Sequence, residues 1–258
     1  MKREVVEPGF RGFVTRLYGD EGRSWIARLP ATLDELAERW RLELGPELPG
    51  GLLACVRAAT LEDGTAAVLK VSAWPRTHDE ITALRTWAGR GSPMLLNADE
   101  ELQALLLERI EPGDHPEDAG AVAVGALLRE LHVPPDSDLP QLAEIARKRI
   151  ETALRDGRAS EQKASWARAK VEQLERDAPP PALLHGDFDE RNLLICRRRG
   201  LCAIDPLPCA GDPAYDAGYW VHGNRRPGRR ARLAAIVTAA GLDSARVRDW
   251  AAVIGVHG

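Results

Sequence analysis

The sequence is poor in the residues that announce several large classes of protein. It has four cysteines, Cys55, Cys196, Cys202 and Cys209, with no CxxC pair among them. Neither a disulfide framework nor a zinc site is therefore signalled, and buried free thiols are expected. Six histidines are present, and none stands in a metal-ligand pattern. The formal net charge of -4 lacks the basic excess that binding to a phosphate backbone needs. The arginine clusters at 197–199 and 225–232 are short and local, so nucleic acid is not an expected partner. No apolar run approaches a membrane span, and Met1-Lys2-Arg3-Glu4 leads into no stretch long enough for a secretory signal. A cytoplasmic protein without membrane contact is expected. There are no internal repeats.

Lysine is scarce in a more telling way. Of 35 basic residues only Lys2, Lys70, Lys148, Lys163 and Lys170 are lysine, which leaves 30 arginines. A lysine inside an apolar strand therefore invites a reason.

What is present is the profile of an ordinary packed domain. Apolar residues make up 44% and charged residues 29% of 258 residues, enough for one large core or two closely joined lobes. Trp25, Leu29, Leu33, Leu36, Ala37 and Trp40 recur at helical spacing and lead into a strand around 41–44. Leu52 to Val56, the turn Glu62-Asp63-Gly64, and Ala66 to Val71 read as two strands, with Lys70 on the second. Thr77 opens a helix that carries Ile81, Leu84 and Trp87 and ends at Gly89 and Gly91; Met94 to Leu96 and Leu102 to Leu107 follow as strands. Pro112-Gly113 breaks this pattern. After it the helical stretches 119–132, 139–155 and 160–177 dominate, until the prolines 179–181 open a region of short strands and loops. The expected fold class is α+β in two lobes, a small β-rich lobe over 1–111 and a larger, mainly helical lobe over 112–258.

The chemistry concentrates after residue 184. His185-Gly186-Asp187 follows a short apolar strand, and Asn192 lies five residues beyond the aspartate, the spacing of a kinase catalytic loop. A carboxylate so placed can orient an attacking hydroxyl and take its proton, while an amide oxygen is a hard ligand suited to magnesium. The runs Leu193 to Ile195 and Leu201 to Ile204 form a hairpin that returns Asp205 beside the loop as a second magnesium ligand. His185 is read as an anchor of the loop backbone, not as a base. Asp212-Pro213 fits a helix start, so Asp212 is as good a cap as a substrate ligand, and Asp216 is expected to brace the loop.

With these motifs the chain resembles the aminoglycoside phosphotransferase superfamily, and within it the streptomycin 6-phosphotransferase and hydroxyurea phosphotransferase-like group, over nearly its whole length. The carriers are 25–30, Asp63-Gly64-Thr65 with 68–71, Leu105 to Ile110, His185-Gly186-Asp187, Ile204-Asp205-Pro206 and Gly211 to Asp216. The resemblance implies a protein-kinase-like fold with ATP and Mg2+ between the lobes. It implies that Lys70 contacts the α and β phosphates and is held by Glu80, a role that competes with a capping box from Thr77. It makes 107–110 the hinge that meets adenine, with Glu108 and Ile110 as contacts, and Asp187 the base. The acceptor it implies is a small molecule, a cationic aminocyclitol such as streptomycin, met by Asp189, Glu190 and Asp212. No G-x-G-x-x-G precedes the lysine strand, so Gly50 and Gly51 form the only plausible phosphate-facing loop, and Asp249 to Ile254 reads as a helix cut short where relatives continue. Two rival readings stand beside this one: a kinase-fold nucleotide-binding module without turnover, and a metal-dependent phosphoesterase using His185, Asp187 and Asp205.

Overall fold

In a computed structural model of the chain, residues 8–49, 53–73, 77–135, 139–223 and 229–257 are described. The chain divides into two compact units, one of residues 1–81 and 93–109, the other of residues 82–92 and 110–258.

The first unit begins with α1 (Pro8–Trp40), which breaks at Gly19, where φ is +57. Strands β1 (Leu42–Glu47), β2 (Ala54–Leu61), β3 (Ala66–Ser72), β4 (Leu95–Asp99) and β5 (Ala104–Glu108) form one sheet in the order β1-β2-β3-β5-β4. Every pairing in it is antiparallel. The helical stripe read from the sequence is what covers it: Ile26, Leu29, Leu33 and Leu36 of α1 pack on Cys55, Ala59, Leu69, Val71 and Leu106 of the sheet. Each such buried aliphatic side chain contributes roughly 1.5–3 kcal/mol. The register places Lys70 opposite Val56 on one side and Leu105 on the other, in the middle of the sheet.

Helix α2 (Thr77–Trp87) crosses the division, which the sequence reading placed only after Glu111. The cause is Trp87. It is fully buried, its indole Nε1 donates to the Leu131 carbonyl at 2.8 Å, and so the end of α2 is built into the second unit.

The second unit holds α3 (Ala121–Leu131), α4 (Leu142–Arg155), α5 (Glu161–Arg176), α6 (Ala214–Gly223), α7 (Arg229–Ala240) and α8 (Ser244–His257). Ser160 caps α5 through the Lys163 N–H. Two small antiparallel pairs complete it, β6 (Ala182–Leu184) with β9 (Cys209–Gly211) and β7 (Leu193–Cys196) with β8 (Gly200–Ala203). The hairpin expected around 197–200 is the second of these. The four cysteines are buried free thiols, as expected. The terminal helix is longer than its apolar pattern indicated, running from Ser244. No helix among the described residues is long and apolar enough to cross a membrane.

Candidate active site

The loop after β6 is shaped by a close approach of backbone to backbone. Gly186 has φ +77, and a Cβ there would lie 2.0 Å from the carbonyl oxygen of Leu207, so only glycine fits. The Leu207 N–H donates to the His185 carbonyl at 2.8 Å and completes the contact. His185 is buried between Trp87, on which its ring stacks, and the edge of Phe188. Its Nε2 bonds to the Ile204 carbonyl at 3.0 Å, and its Nδ1 accepts the Asp187 N–H at 3.4 Å. Burial holds the ring below the ordinary histidine range even with the carboxylates of Asp216 and Asp187 near it, so it is neutral at pH 7. Both nitrogens are committed, which fits the anchoring role and not that of a base.

Beneath the loop lies Asp216, fully buried on α6. Its Oδ2 accepts the His185 N–H at 2.8 Å and faces His132 Nε2 at 3.0 Å; its Oδ1 accepts the Gly186 N–H at 2.9 Å. Burial alone pushes a carboxyl pKa up, but the hydrogen bond and charge of His132 and the Gly186 N–H together hold Asp216 below the usual carboxylate range. The expected brace is thus a buried anion that fixes the backbone of the two residues before Asp187.

Asp187 itself is half-buried. Asn192 closes a single 3-10 turn, Glu190–Asn192, and turns its Nδ2 back onto the Asp187 carbonyl at 2.9 Å and carboxylate Oδ2 at 3.1 Å. The amide oxygen then faces the other way. The Ile204 N–H donates to the Asn192 carbonyl at 2.8 Å, which brings the chain back to Asn192 one residue before Asp205, itself two residues past β8. Asp205 has φ +54, a left-handed conformation that aspartate tolerates better than most residues and that clusters at functional sites. An amide oxygen and a carboxylate make a hard-oxygen pair. Among the described residues no group of three or more His, Cys, Asp or Glu side chains could hold an ion alone. Two protein ligands, completed by phosphate and water, are what magnesium ordinarily takes, so the donor set fits that ion.

In the first unit Lys70 and Glu80 are both buried, and the ammonium bonds both carboxylate oxygens, at 2.7 and 2.9 Å. The Thr77 hydroxyl is buried without a hydrogen-bond partner among the described residues, so the competing capping box is not formed. Glu108 ends β5, where its N–H donates to the Met94 carbonyl at 2.9 Å. The Ile110 side chain is buried against Cys196 and Cys202. Gly50 and Gly51 lie outside the described residues.

The three acidic residues assigned to the acceptor fall in different surroundings. Asp189 is buried, and its Oδ1 caps the 3-10 turn through the Arg191 N–H at 3.0 Å while accepting Arg191 Nε at 2.8 Å. Glu190 is half-buried at the start of that turn. Asp212 points elsewhere: Oδ1 caps α6 through the Ala214 N–H at 3.0 Å, and Oδ2 accepts Arg246 Nε at 2.8 Å and Trp250 Nε1 at 2.7 Å. With both oxygens committed and 4% of the residue exposed, its geometry fits the helix cap and not a ligand of the acceptor.

Sequence reasoning missed Arg149 and Tyr219. Arg149 of α4 donates to the Tyr215 hydroxyl and to the Gly186 carbonyl, and its guanidinium lies 5.8 Å from the centre of the Tyr219 ring. No spacing rule joins residues on α4, α6 and the loop, although arginine so deep in a helix was a signal that could have been used.

Known proteins resemble the chain along most of its length. A family model described as aminoglycoside/hydroxyurea antibiotic resistance kinase matches residues 39–258. A streptomycin 6-kinase of Streptomyces glaucescens is 34% identical over 270 residues, spanning 96% of this chain and 87% of its own. A hydroxyurea phosphotransferase of Kitasatospora aureofaciens is 33% identical over 249 residues, spanning 91% of this chain and 73% of its own. Among solved structures, a choline/ethanolamine kinase family protein from Mesorhizobium loti matches with a TM-score of 0.67 at 18% identity over 86% of this chain and 82% of its own. The aminoglycoside phosphotransferase APH(4)-Ia matches with a TM-score of 0.59 at 16% identity over 88% and 89%. At such identities the structures speak to fold alone, and the fold is kinase-like: a sheet-built N-lobe and a helical C-lobe, the α+β class expected.

Proposed function

The chain belongs to the aminoglycoside/hydroxyurea antibiotic resistance kinase family, and we propose that it moves the γ-phosphoryl group of ATP onto a hydroxyl of a cationic aminocyclitol, with streptomycin the foremost candidate. The broader activity follows from membership: it is a small-molecule kinase of the antibiotic-resistance type, a phosphotransferase with a hydroxyl as acceptor. The observation that carries the mechanism is Asp187, half-buried at the tip of a loop whose backbone is bonded from beneath by Asp216 and whose carboxylate is held by Asn192.

Asp187 accepts the proton of the acceptor hydroxyl as its oxygen attacks the γ-phosphorus, and ADP leaves. Lys70, held by Glu80, offers a compact ammonium to the α and β phosphates. Asn192 and Asp205 are the residues suited to magnesium, which when bound supplies neutralisation of phosphate charge. The backbone of 107–110, with Glu108 and Ile110, meets the base. Positioning and electrostatics do most of the work, and no covalent intermediate on the enzyme is needed. Streptomycin is favoured because two curated relatives are named streptomycin 6-kinase and because Glu190, half-buried, lies close to the base on its own loop.

The test is a screen for ADP release by the purified chain with magnesium and ATP over streptomycin, other aminocyclitols, neutral sugars and hydroxyurea. Streptomycin-dependent turnover is expected. Turnover of an uncharged alcohol alone, with streptomycin inert, would remove the aminocyclitol assignment and leave the kinase class standing.

A further inference from the structure

Helix α6 presents Asp216, Tyr219 and Gly223 at i, i+3 and i+7, one above another along a single face. Each of them meets a different part of the 185–192 loop. Asp216 accepts the N–H groups of His185 and Gly186. Tyr219 stands between Asp216 and Gly223 on the same face, and the Asp187 carboxylate lies near enough to push its phenol pKa up. At Gly223 a Cβ would come within 2.4 Å of Asp189 Oδ2, so the helix closes on that residue as well. The face of α6 is therefore a template against which the whole loop is set.

On this basis we infer that Tyr219 is a positioning residue for Asp187: its hydroxyl and the Asn192 amide hold the carboxylate from two directions, and fix which way it meets the acceptor hydroxyl. Arg149 holds the holder. Its guanidinium sits over the Tyr219 ring, and the same side chain is tied to the Gly186 carbonyl and the Tyr215 hydroxyl. A cation there draws electron density from the ring and strengthens the phenol as a donor. Burial and the neighbouring carboxylate of Asp187 push the Tyr219 pKa up, so it remains a donor wherever Asp187 is ionised. A carboxylate gripped at one point can rotate about its own side-chain bonds, and a misplacement of about 1 Å can cost on the order of 100-fold in rate.

The proposal rests on Asp187 being the base, and the experiment separates the two claims. Tyr219→Phe, Asp187→Asn and the double variant are compared with magnesium-ATP and streptomycin, and in parallel with magnesium-ATP alone, where the slow transfer to water is followed. Tyr219→Phe should lower kcat about tenfold in both assays, with the KM values for ATP and streptomycin within about twofold of the parent. Added to Asp187→Asn, it should have no further effect, because it acts through the carboxylate that has been removed. A general loosening of the helix would instead lower the melting temperature and compound with Asp187→Asn. An unchanged kcat in Tyr219→Phe beside a collapsed Asp187→Asn overturns the role of Tyr219 alone. Full turnover in Asp187→Asn overturns the base and Tyr219 together. A crystal structure of the parent protein adds a readout independent of acceptor: a Tyr219 hydroxyl well beyond about 3.5 Å from both Asp187 oxygens also overturns the proposal.

Discussion

Asp212 and Asp216 stand one helical turn apart in the same short segment, both buried and both hydrogen-bonded through each oxygen. They face opposite regions of the second unit. Asp216 looks toward the loop and spends its charge on the backbone of His185 and Gly186, so it acts on the place where Asp187 sits. Asp212 looks toward α8 and spends its charge on Arg246 and Trp250, so it ties one helix to another. The difference teaches that a carboxylate in a motif is defined by what its oxygens already hold. A buried and saturated one is scaffold. Asp187 is half-buried, with Asn192 on one oxygen, and is the carboxylate we propose as the base.

The sharpest way to separate chemistry from scaffold is Asp187→Asn. Turnover should fall by about two orders of magnitude or more, the usual worth of a positioned base, with ATP affinity within a few fold and thermal stability retained. Steady-state kinetics with calorimetric ATP titration decides it. Undiminished turnover removes Asp187 from the mechanism.

Asp216→Asn and Asp212→Asn then break the comparison from its two sides. In the first, an amide NH2 must face N–H groups of the loop and His132, and the loss should be about 3 kcal/mol of stability together with a large fall in kcat. The second removes one charge from the pair with Arg246 but leaves an oxygen for the cap, and should cost about 1–2 kcal/mol with kcat and the acceptor KM unchanged. Denaturant unfolding beside kinetics reads both. A raised acceptor KM in Asp212→Asn would restore it as a substrate ligand.

Each side also holds a buried histidine, His185 at the loop and His257 at the end of α8. Burial, then the charges of Arg149, His222 and Arg158, depress His257 to about 3, and burial depresses His185 in the same direction. Both groups bind fewer protons folded than unfolded, so stability is fully present above the unfolded value near 6.5 and is lost as pH falls from there toward the folded value. For His257 the loss by pH 5 is about 2 kcal/mol. His257→Asn should flatten stability against pH between about 7 and 4 without touching kcat, and an unaltered slope would contradict the depressed value.

The strands and the spacing of Asp187, Asn192 and Asp205 were legible because each depends on residues close in sequence or on a period, while the Lys70 and Glu80 pairing came from the family resemblance and is formed in the structure. What was not legible depends on long-range packing. The break of α1 at Gly19 and the helix before it interrupt any simple period. Arg149 reaches Gly186 across 37 residues, and the commitment of Asp212 exists only once α8 is folded beside it, 38 residues on. The family resemblance reached fold and reaction, whereas it assigned Asp212 to the acceptor because a motif does not record where a side chain's oxygens are spent.

The smallest expected effect sharpens the same distinction inside the loop. Asp189 is drawn inward, with Oδ1 on the Arg191 N–H and guanidinium and Oδ2 against Gly223. Glu190 starts the turn half-buried, its carboxylate on the longer side chain. If a guanidinium-bearing acceptor is recognised here, Glu190→Gln should raise its KM by roughly fivefold, the worth of about 1 kcal/mol for a partly exposed ion pair, with the KM for ATP unchanged. Added salt should act in the same direction on the parent enzyme and less on the variant, since screening removes what the substitution has already removed. Asp189→Asn, by contrast, should lower kcat more than it raises KM, because it loosens the turn that carries Asn192. A neutral acceptor should show neither the salt dependence nor the response to Glu190→Gln. Equal KM effects on charged and neutral acceptors would mean that Glu190, too, belongs to the scaffold.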